Sequence, residues 1–281
     1  MKKILLPTDF SENASNAIDY ALELLKDEEC NFYLINTYTP VIYNYDYQMN
    51  TGGYLGDVVD VVKKNSMDKL EELKDRFKKK YHNKKHKFTI VSSFNLLTDE
   101  IKYLIDTYNP DLIIMGTKGA SGAKEVLFGS NAIHVINKAK CPVMVIPDAY
   151  FFETPKNILF PTDFLVDYTE EQLSVLKMIT GNYESTVHIL NVSHGSELTE
   201  KENNNKERLG RLLANYKHIF YRVGDQEIPK AIQDFQNDVY VQLLMMINNK
   251  HSFFENLFFK PIINQIGFHL TVPFLVVPSK M

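Results

Sequence analysis

The chain has 281 residues, of which 44% are hydrophobic and 23% are charged, and its formal net charge is −4. This length predicts two domains of ordinary size, and the mild acidity argues against a generally basic nucleic-acid-binding protein. Two cysteines are too few for a disulfide scaffold or a cysteine-rich zinc module.

The chain begins with an apolar run of only three residues before Pro7, which is too short for the core of a signal peptide. The sequence has no apolar stretch of the roughly 20 residues that a membrane span needs. We therefore expect a cytoplasmic protein that does not act at a membrane.

The first half alternates between short apolar runs and segments with helical spacing of apolar residues. In chain order the predicted elements are a strand at Ile4–Leu6, a helix capped by Ser11 and reaching Leu25, a strand at Phe32–Thr37, a helix at Lys63–Lys80, a strand at Phe88–Val91, a helix at Leu97–Tyr108, a strand at Asp111–Met115, a helix at Ser130–Lys138 and a strand at Val143–Ile146. This order predicts an α/β fold in which helices cover both faces of a parallel sheet. Such sheets bind ligands at the carboxyl ends of their strands, near the topological switch point.

The second half repeats the first. The tetrapeptide Pro-Thr-Asp-Phe at residues 7–10 returns at residues 161–164, an offset of 154. Near the ends of the two copies, residues 141–147 correspond to residues 272–278 at an offset of 131. The second copy is therefore 154 − 131 = 23 residues shorter in its middle.

This repeat predicts two domains of one fold, at residues 1–150 and 151–281. Each domain is expected to hold a five-stranded parallel sheet of Rossmann-like type. The last strands of the two copies, Val143–Ile146 and Phe274–Val277, are candidate edge strands. Their pairing would make the two copies an internal pseudo-dimer.

The residues after the fourth strand have a spacing suited to binding phosphate. Gly116, Gly119, Gly129 and Ser130 follow the pattern G-x2-G-x9-G-S, and Ser121 lies in the small loop between them. Glycine lets a backbone approach a ligand closely, and a helix that starts at Ser130 offers free N–H groups to an anion. The pattern is neither a Walker P-loop nor a Rossmann fingerprint. Ordinary turn chemistry is the alternative explanation of the glycines.

Two polar residues follow the first and second strands. Asp9 carries a carboxylate that can accept hydrogen bonds from a ribose hydroxyl or an adenine amine. Thr37 is expected to flank the same crevice. Capping of the first helix is the alternative role for Asp9.

These features together resemble a universal stress protein domain of the ATP-binding type, and the resemblance covers both copies. The residues that carry it are Ile4–Asp9, Met115–Gly119, Gly129–Ser130 and Cys141–Val143. The resemblance implies an adenine nucleotide alpha hydrolase-like fold and ATP as ligand. Mg²⁺ is a candidate companion of the phosphates, and the loop has no carboxylate cluster for a dedicated metal site. The nucleotide-binding residues that it implies are Pro7, Thr8, Asp9, Thr37, Met115, Gly116, Gly119, Ser121, Gly129, Ser130 and Asn131.

The second copy departs from this pattern at each position of the glycine loop. Ile247, Lys250, Lys260 and Pro261 stand where the first copy has Gly116, Gly119, Gly129 and Ser130, although Asp163 keeps the place of Asp9. We therefore expect that the second copy does not bind ATP. Its aromatic loop at Phe253–Phe259 is either packed within the protein or part of a surface for an apolar partner.

Two further segments leave their roles open. The tyrosine-rich stretch Tyr38–Tyr54 is either a lid or partner loop or a surface excursion packed on the neighbouring domain. The stretch Lys63–Lys87 has eleven Lys and Arg against four Asp and Glu. It is either a basic patch that attracts nucleic acid or phosphate or a solvated helix face, and we expect the latter because it carries no RNA-binding signature.

The resulting hypothesis is an ATP-binding regulatory protein of the stress response, with a structural or partner-binding second domain. One alternative is a slow ATPase or another ATP-dependent enzyme that uses the same crevice, although we identify no catalytic residue. A second alternative is an interaction module without a ligand. A protein partner and a homodimer of chains both stay open.

Overall fold

The computed structural model describes residues 1–39, 55–117, 129–193, 197–224, 226–249 and 271–279. These ranges contain ten strands and seven helices. The first half consists of β1 (Lys2–Pro7), α1 (Glu12–Leu24), β2 (Cys30–Tyr38), α2 (Leu55–Tyr81), β3 (His86–Phe94), α3 (Leu97–Tyr108), β4 (Leu112–Gly116), α4 (Ser130–Lys138) and β5 (Val143–Ile146). The second half consists of β6 (Asn157–Pro161), α5 (Ser174–Tyr183), β7 (Thr186–Ser193), α6 (Glu200–Leu212), β8 (His218–Gly224), α7 (Ile228–Asp238), β9 (Leu243–Asn248) and β10 (Phe274–Pro278).

Each strand and helix predicted for the first half is present. Strands β1, β2 and β3 and helix α2 are longer than predicted, and α2 and β3 differ most. Helix α2 begins at Leu55, whereas the sequence pattern places its start at Lys63. Its first turns hold several valines, which are β-branched and disfavour a helix when judged by propensity alone. Strand β3 extends beyond Phe88–Val91 at both ends because each added residue pairs with β2.

The ten strands form one sheet in the order β3-β2-β1-β4-β5-β10-β9-β6-β7-β8. Neighbouring strands are parallel except at the centre, where β5 and β10 are antiparallel. The two expected five-stranded units are therefore halves of one continuous sheet, and the pairing expected between their last strands is observed. Residue Met144 lies directly opposite Leu275 in this pairing.

The register of the strands shows that the two halves are equivalent in space. On β4 and β5, Gly116 lies opposite Ile146, and on β9 and β10, Ile247 lies opposite Val277. Both pairs are related by the offset of 131 found in the sequence. Ile247 therefore occupies the place of Gly116, as the repeat predicts.

Two apolar layers cover the faces of the sheet, and each contains residues of both halves. One layer includes Leu6 and Phe160, and the other includes Leu5 and Leu159. Helices also meet across the centre, where the Tyr183 hydroxyl on α5 is 2.8 Å from the carbonyl oxygen of Leu24 at the end of α1. The two halves thus share their hydrophobic core.

In the part of the chain that the structure describes, we find no helix with the length and apolar character required to cross a membrane.

Candidate functional site

A crevice lies at the carboxyl ends of β1 and β4, which are neighbours in the sheet. From here the chain passes from β1 to β2 on one side and from β4 to β5 on the other, so this is the topological switch point. The predicted site residues that line the crevice are Pro7, Thr8, Asp9, Thr37, Met115, Gly116, Gly129, Ser130 and Asn131. The other two, Gly119 and Ser121, lie outside the described residues.

The turn after β1 presents Asp9 at the mouth of the crevice. The N–H of Thr8 donates to the carbonyl of Ile35 over 2.7 Å, which continues the β1–β2 ladder by one step. Asp9 is exposed, and its Oδ1 accepts hydrogen bonds from the N–H and the hydroxyl of Ser11 over 3.1 and 2.6 Å. Phe10 between them has a left-handed backbone with φ 65°.

Ser11, and not Asp9, is the N-cap of α1. The Ser11 hydroxyl accepts a hydrogen bond from the N–H of Ala14 over 3.2 Å. The capping role considered for Asp9 therefore becomes indirect, because Asp9 orients the residue that caps the helix. Its exposed carboxylate remains at the crevice.

The N-terminus of α4 lies at the same crevice. Gly129 is the N-cap and provides no side-chain cap, and the first turn of the helix contains no acidic residue. Ser130 and Asn131 are exposed, and the N–H groups of a first helical turn have no partner within the helix. The Gly129 N–H itself donates to the carbonyl of Thr117 over 2.6 Å, which ties β4 to the start of α4.

Gly116 has a packing role that the sequence did not reveal. A Cβ at this position would lie 2.9 Å from Cγ and Nδ2 of Asn13. Real Cβ atoms do not approach so closely, so the absence of a side chain admits Asn13 of α1. From the sequence, we expected this glycine to allow the close approach of a ligand. The structure shows that it also makes space for Asn13.

Five further residues line the crevice that sequence analysis did not select: Ala14, Ile35, Leu97, Thr117 and Ala132. Thr117 directly follows the strand end, and its position offered a signal. The other four belong to the apolar stripes of strands and helices, so nothing in the sequence separated them from the core.

The turn after β1 recurs in the second half. The Thr162 N–H donates to the carbonyl of Leu190 over 2.9 Å, and Asp163 Oδ1 accepts from the N–H of Leu165 over 3.0 Å. Phe164 has φ 57°, the counterpart of Phe10. The turn that follows the first strand of each half therefore has the same backbone geometry.

The surroundings of that second turn differ. Helix α5 begins only at Ser174, and the preceding Tyr168 is fully buried with its hydroxyl 2.6 Å from Thr162 Oγ1. Ile247 in the place of Gly116 is 7% exposed and belongs to the core. Tyr168 and Ile247 thus lie at the strand ends that correspond to those of the crevice in the first half. The replacements at Lys250, Lys260 and Pro261 lie outside the described residues, as do residues 40–54 and 253–259.

The two cysteine thiols of the chain are not activated as nucleophiles. Burial raises the pKa of the Cys30 and Cys141 thiols to about 12, so both stay protonated at neutral pH. No cluster of three or more His, Cys, Asp or Glu side chains is arranged to hold a metal ion among those residues.

Residues 1–147 match the universal stress protein family. The chain belongs to this family. A universal stress protein of Methanocaldococcus jannaschii, MJ0577, is 31% identical over 152 residues, which are 52% of this chain and 94% of that protein. A second universal stress protein of the same organism, MJ0531, is 28% identical over 149 residues, or 52% of this chain and 81% of that protein.

A solved universal stress protein has the fold of the whole chain. The structure is that of a universal stress protein from Archaeoglobus fulgidus, with a TM-score of 0.71 and 19% identity. The superposition covers 98% of this chain and 96% of that one. At this identity the likeness concerns the fold alone, and it extends over the second half as well as the first.

Proposed function

We propose that the first half binds an adenine nucleotide, with ATP as the leading candidate, and that the protein is a nucleotide-binding regulator of the stress response. In this proposal residues 1–150 form the nucleotide-binding domain and residues 151–281 a degenerate, structural or partner-binding domain. The observation that carries the proposal is that Asp9 and the N-terminus of α4 line one crevice at the topological switch point.

The two ends of this crevice suit the two ends of a nucleotide. The exposed Asp9 carboxylate accepts hydrogen bonds from ribose hydroxyls or an adenine amine, and Thr37 offers a hydroxyl beside it. The α4 N-terminus, with Gly129, Ser130 and Asn131, offers N–H groups and a positive dipole to phosphate. The crevice therefore combines a nucleoside side with an anion side.

The size of the crevice constrains how the nucleotide would lie. The described residues enclose about 150 Å³, less than the roughly 300 Å³ at which whole-ligand pockets begin. The nucleotide would therefore project beyond the enclosed part, with its phosphates over the start of α4. In the proposal Gly119 and Ser121 contact these phosphates, and Mg²⁺ is held by the phosphates and not by a carboxylate cluster of the protein.

The second half supports a single site per chain. Ile247 carries a side chain where Gly116 has none, and Tyr168 is hydrogen-bonded to the threonine of the turn. In the sequence, Lys250, Lys260 and Pro261 replace the glycines and the serine that would accompany Asp163. We therefore expect one nucleotide per chain.

Isothermal titration with ATP, ADP and AMP tests this function on the wild type and on Asp9→Asn. The variant keeps an acceptor for Ser11 but loses the charge, and a charge-assisted hydrogen bond of about 1.5–3 kcal/mol predicts roughly 10- to 100-fold weaker binding. Asp163→Asn is the matched control and is expected to bind like the wild type with one nucleotide per chain. Absence of saturable binding by the wild type would refute the proposal, as would equal weakening in both variants.

A further inference from the structure

Three consecutive hydrogen bonds connect β3, α2 and β2 to the turn that carries Asp9. Asn36 on β2 donates through Nδ2 to the carbonyl of Thr8 over 2.8 Å. Its Oδ1 accepts from the Ser66 hydroxyl on α2 over 2.8 Å, and Ser66 accepts from the Ser92 hydroxyl on β3 over 2.8 Å. Asn36 is 9% exposed and Ser66 is 5% exposed, so water contributes little to these groups.

The donor and the acceptor in two of these hydrogen bonds follow from the chemistry of the groups involved. The carbonyl of Thr8 can only accept, so the Asn36 amide must turn its NH₂ group toward that carbonyl. Its oxygen then faces Ser66, whose hydroxyl proton is committed to Asn36. A second orientation of the amide would place two acceptors against each other, which is costly in a buried position.

Asn36 holds the peptide unit between Thr8 and Asp9. The carbonyl of Thr8 and the N–H of Asp9 belong to one planar peptide unit. A hydrogen bond to that carbonyl therefore fixes the plane from which the Asp9 side chain projects. On the far side of Asp9, Phe10 holds the left-handed conformation with φ 65°, which a non-glycine residue adopts only when its surroundings enforce it.

The second half provides an internal comparison. Asn191 Nδ2 donates to the carbonyl of Thr162 over 3.0 Å, as Asn36 does to Thr8. Asn191 Oδ1 is buried, however, and no donor reaches it from the described residues. Helix α6 contacts the turn in another way, through Asn205 Nδ2 and the carbonyl of Phe164 over 2.8 Å. Among the described residues, the link from the asparagine to a helix hydroxyl thus occurs in the half that contains the candidate site.

We propose that Asn36, oriented by Ser66 and Ser92, is a positioning residue of the nucleotide site and couples helix α2 to the placement of Asp9. This inference rests on the proposed function. Loss of the Ser66 hydroxyl leaves the Asn36 amide free to rotate and loosens the peptide that it holds. Displacement of α2 by a ligand or partner would act on Asp9 in the same manner.

The test combines ATP titration with amide hydrogen exchange of the ligand-free, full-length protein. The variants are Ser66→Ala, Ser66→Thr, which retains the hydroxyl, and the matched pair Asn36→Leu and Asn191→Leu. In Ser66→Ala we expect the amides of Thr8 and Phe10 to exchange about two- to tenfold faster and the Kd for ATP to rise by a similar factor, because one hydrogen bond contributes about 0.5–1.5 kcal/mol.

The controls separate positioning from general loss of stability. Ser66→Thr is expected to restore both readouts, and Asn36→Leu to raise the Kd at least as much as Ser66→Ala. Asn191→Leu is expected to accelerate exchange at Thr162 and Phe164 with the Kd unchanged. Unchanged exchange and affinity in Ser66→Ala would overturn the inference, and so would an equal rise of the Kd in Asn191→Leu. If the wild type does not bind ATP, the proposed function fails, while exchange at Thr8 and Phe10 still decides whether Ser66 holds the turn.

Discussion

The side chain of Asn13 on α1 lies directly against Gly116 at the end of β4. This contact leaves no space for another carbon atom at Gly116. A Cβ at Gly116 would lie 2.9 Å from Asn13 Cγ and Nδ2 and 3.0 Å from its Oδ1. Asn13 is 8% exposed, so its amide cannot simply swing into solvent. This contact joins α1 and β4 closely at the edge of the candidate nucleotide site.

Gly116→Ala is expected to lower the free energy of unfolding by about 1–3 kcal/mol because it overpacks this contact. In the double variant Asn13→Ala, Gly116→Ala the added carbon has space, so the loss from the glycine substitution should largely disappear. Urea unfolding of the wild type, both single variants and the double variant measures the coupling. If the losses in unfolding free energy of the two single variants add in the double variant, the Asn13–Gly116 contact is not the cause of the destabilisation. Titration of the double variant with ATP then shows whether the glycine also serves the ligand.

Tyr183→Phe is expected to lower the free energy of unfolding by about 0.5–1.5 kcal/mol, the usual contribution of one hydrogen bond. The Tyr183 hydroxyl is 3.0 Å from the carbonyl oxygen of Glu23 and 2.8 Å from that of Leu24, and it satisfies the end of α1 from the other half of the molecule. The ring remains and keeps its packing on Phe152. Urea unfolding measures the loss, and ATP affinity should not change. A variant as stable as the wild type would show that water replaces the hydroxyl.

Stability is expected to fall as the pH drops below about 6.5. Burial lowers the pKa of His86, against a smaller opposing effect of its hydrogen bond to the carbonyl of Leu25, and burial also lowers the pKa of His188. The unfolded chain, whose histidines titrate near 6.5, takes up protons that the folded protein does not. The contribution is therefore complete above about pH 6.5 and is lost as the pH falls toward the folded-state pKa values.

Urea midpoints measured between about pH 7.5 and 5.5 test this pH dependence. We expect His86→Gln and His188→Gln each to flatten the decline, because glutamine does not titrate. A decline as steep in both variants as in the wild type would assign it to other groups.

A fragment of residues 1–150 is expected to dimerise. In the full-length protein β5 pairs with β10. Removal of the second half leaves β5 as an unpaired edge strand, which is a template for pairing with another strand. Met144 and its repeat equivalent Leu275 are directly opposed, so two β5 strands can pair with Met144 opposite Met144. Sedimentation at several concentrations, with the full-length chain as control, measures the association. A folded fragment that stays monomeric would contradict this prediction.

Much of the fold was predictable because it depends on local patterns and on the repeat. The apolar runs predicted β1 and β4, and the offset of 131 placed Ile247 where the strand register later puts it. The site was predictable to the extent that its residues follow strand ends, as Asp9 and Gly116 do. Their convergence then followed from the parallel sheet, whose carboxyl ends meet at one edge.

The remaining features depend on contacts between residues distant in the sequence. Asn13 looked like any polar residue in a first helical turn, and only the packing of α1 on β4 places it against Gly116. Asn36 and Ser66 are 30 residues apart, and their hydrogen bond requires α2 to lie on β2 in one particular register. The start of α2 at Leu55 was not predicted, and the valines of its first turns, which have a low helix propensity, give no signal for it.

The antiparallel junction of β5 and β10 has a consequence for symmetry. In a dimer of identical single-domain chains, a substitution that closes one crevice closes both, because a two-fold axis applies each change twice. Here the paired halves belong to one polypeptide, so equivalent positions can carry different residues, as Gly116 and Ile247 do. Because the pairing is intramolecular, it does not weaken on dilution, and the two unequal halves stay in a one-to-one ratio at every protein concentration.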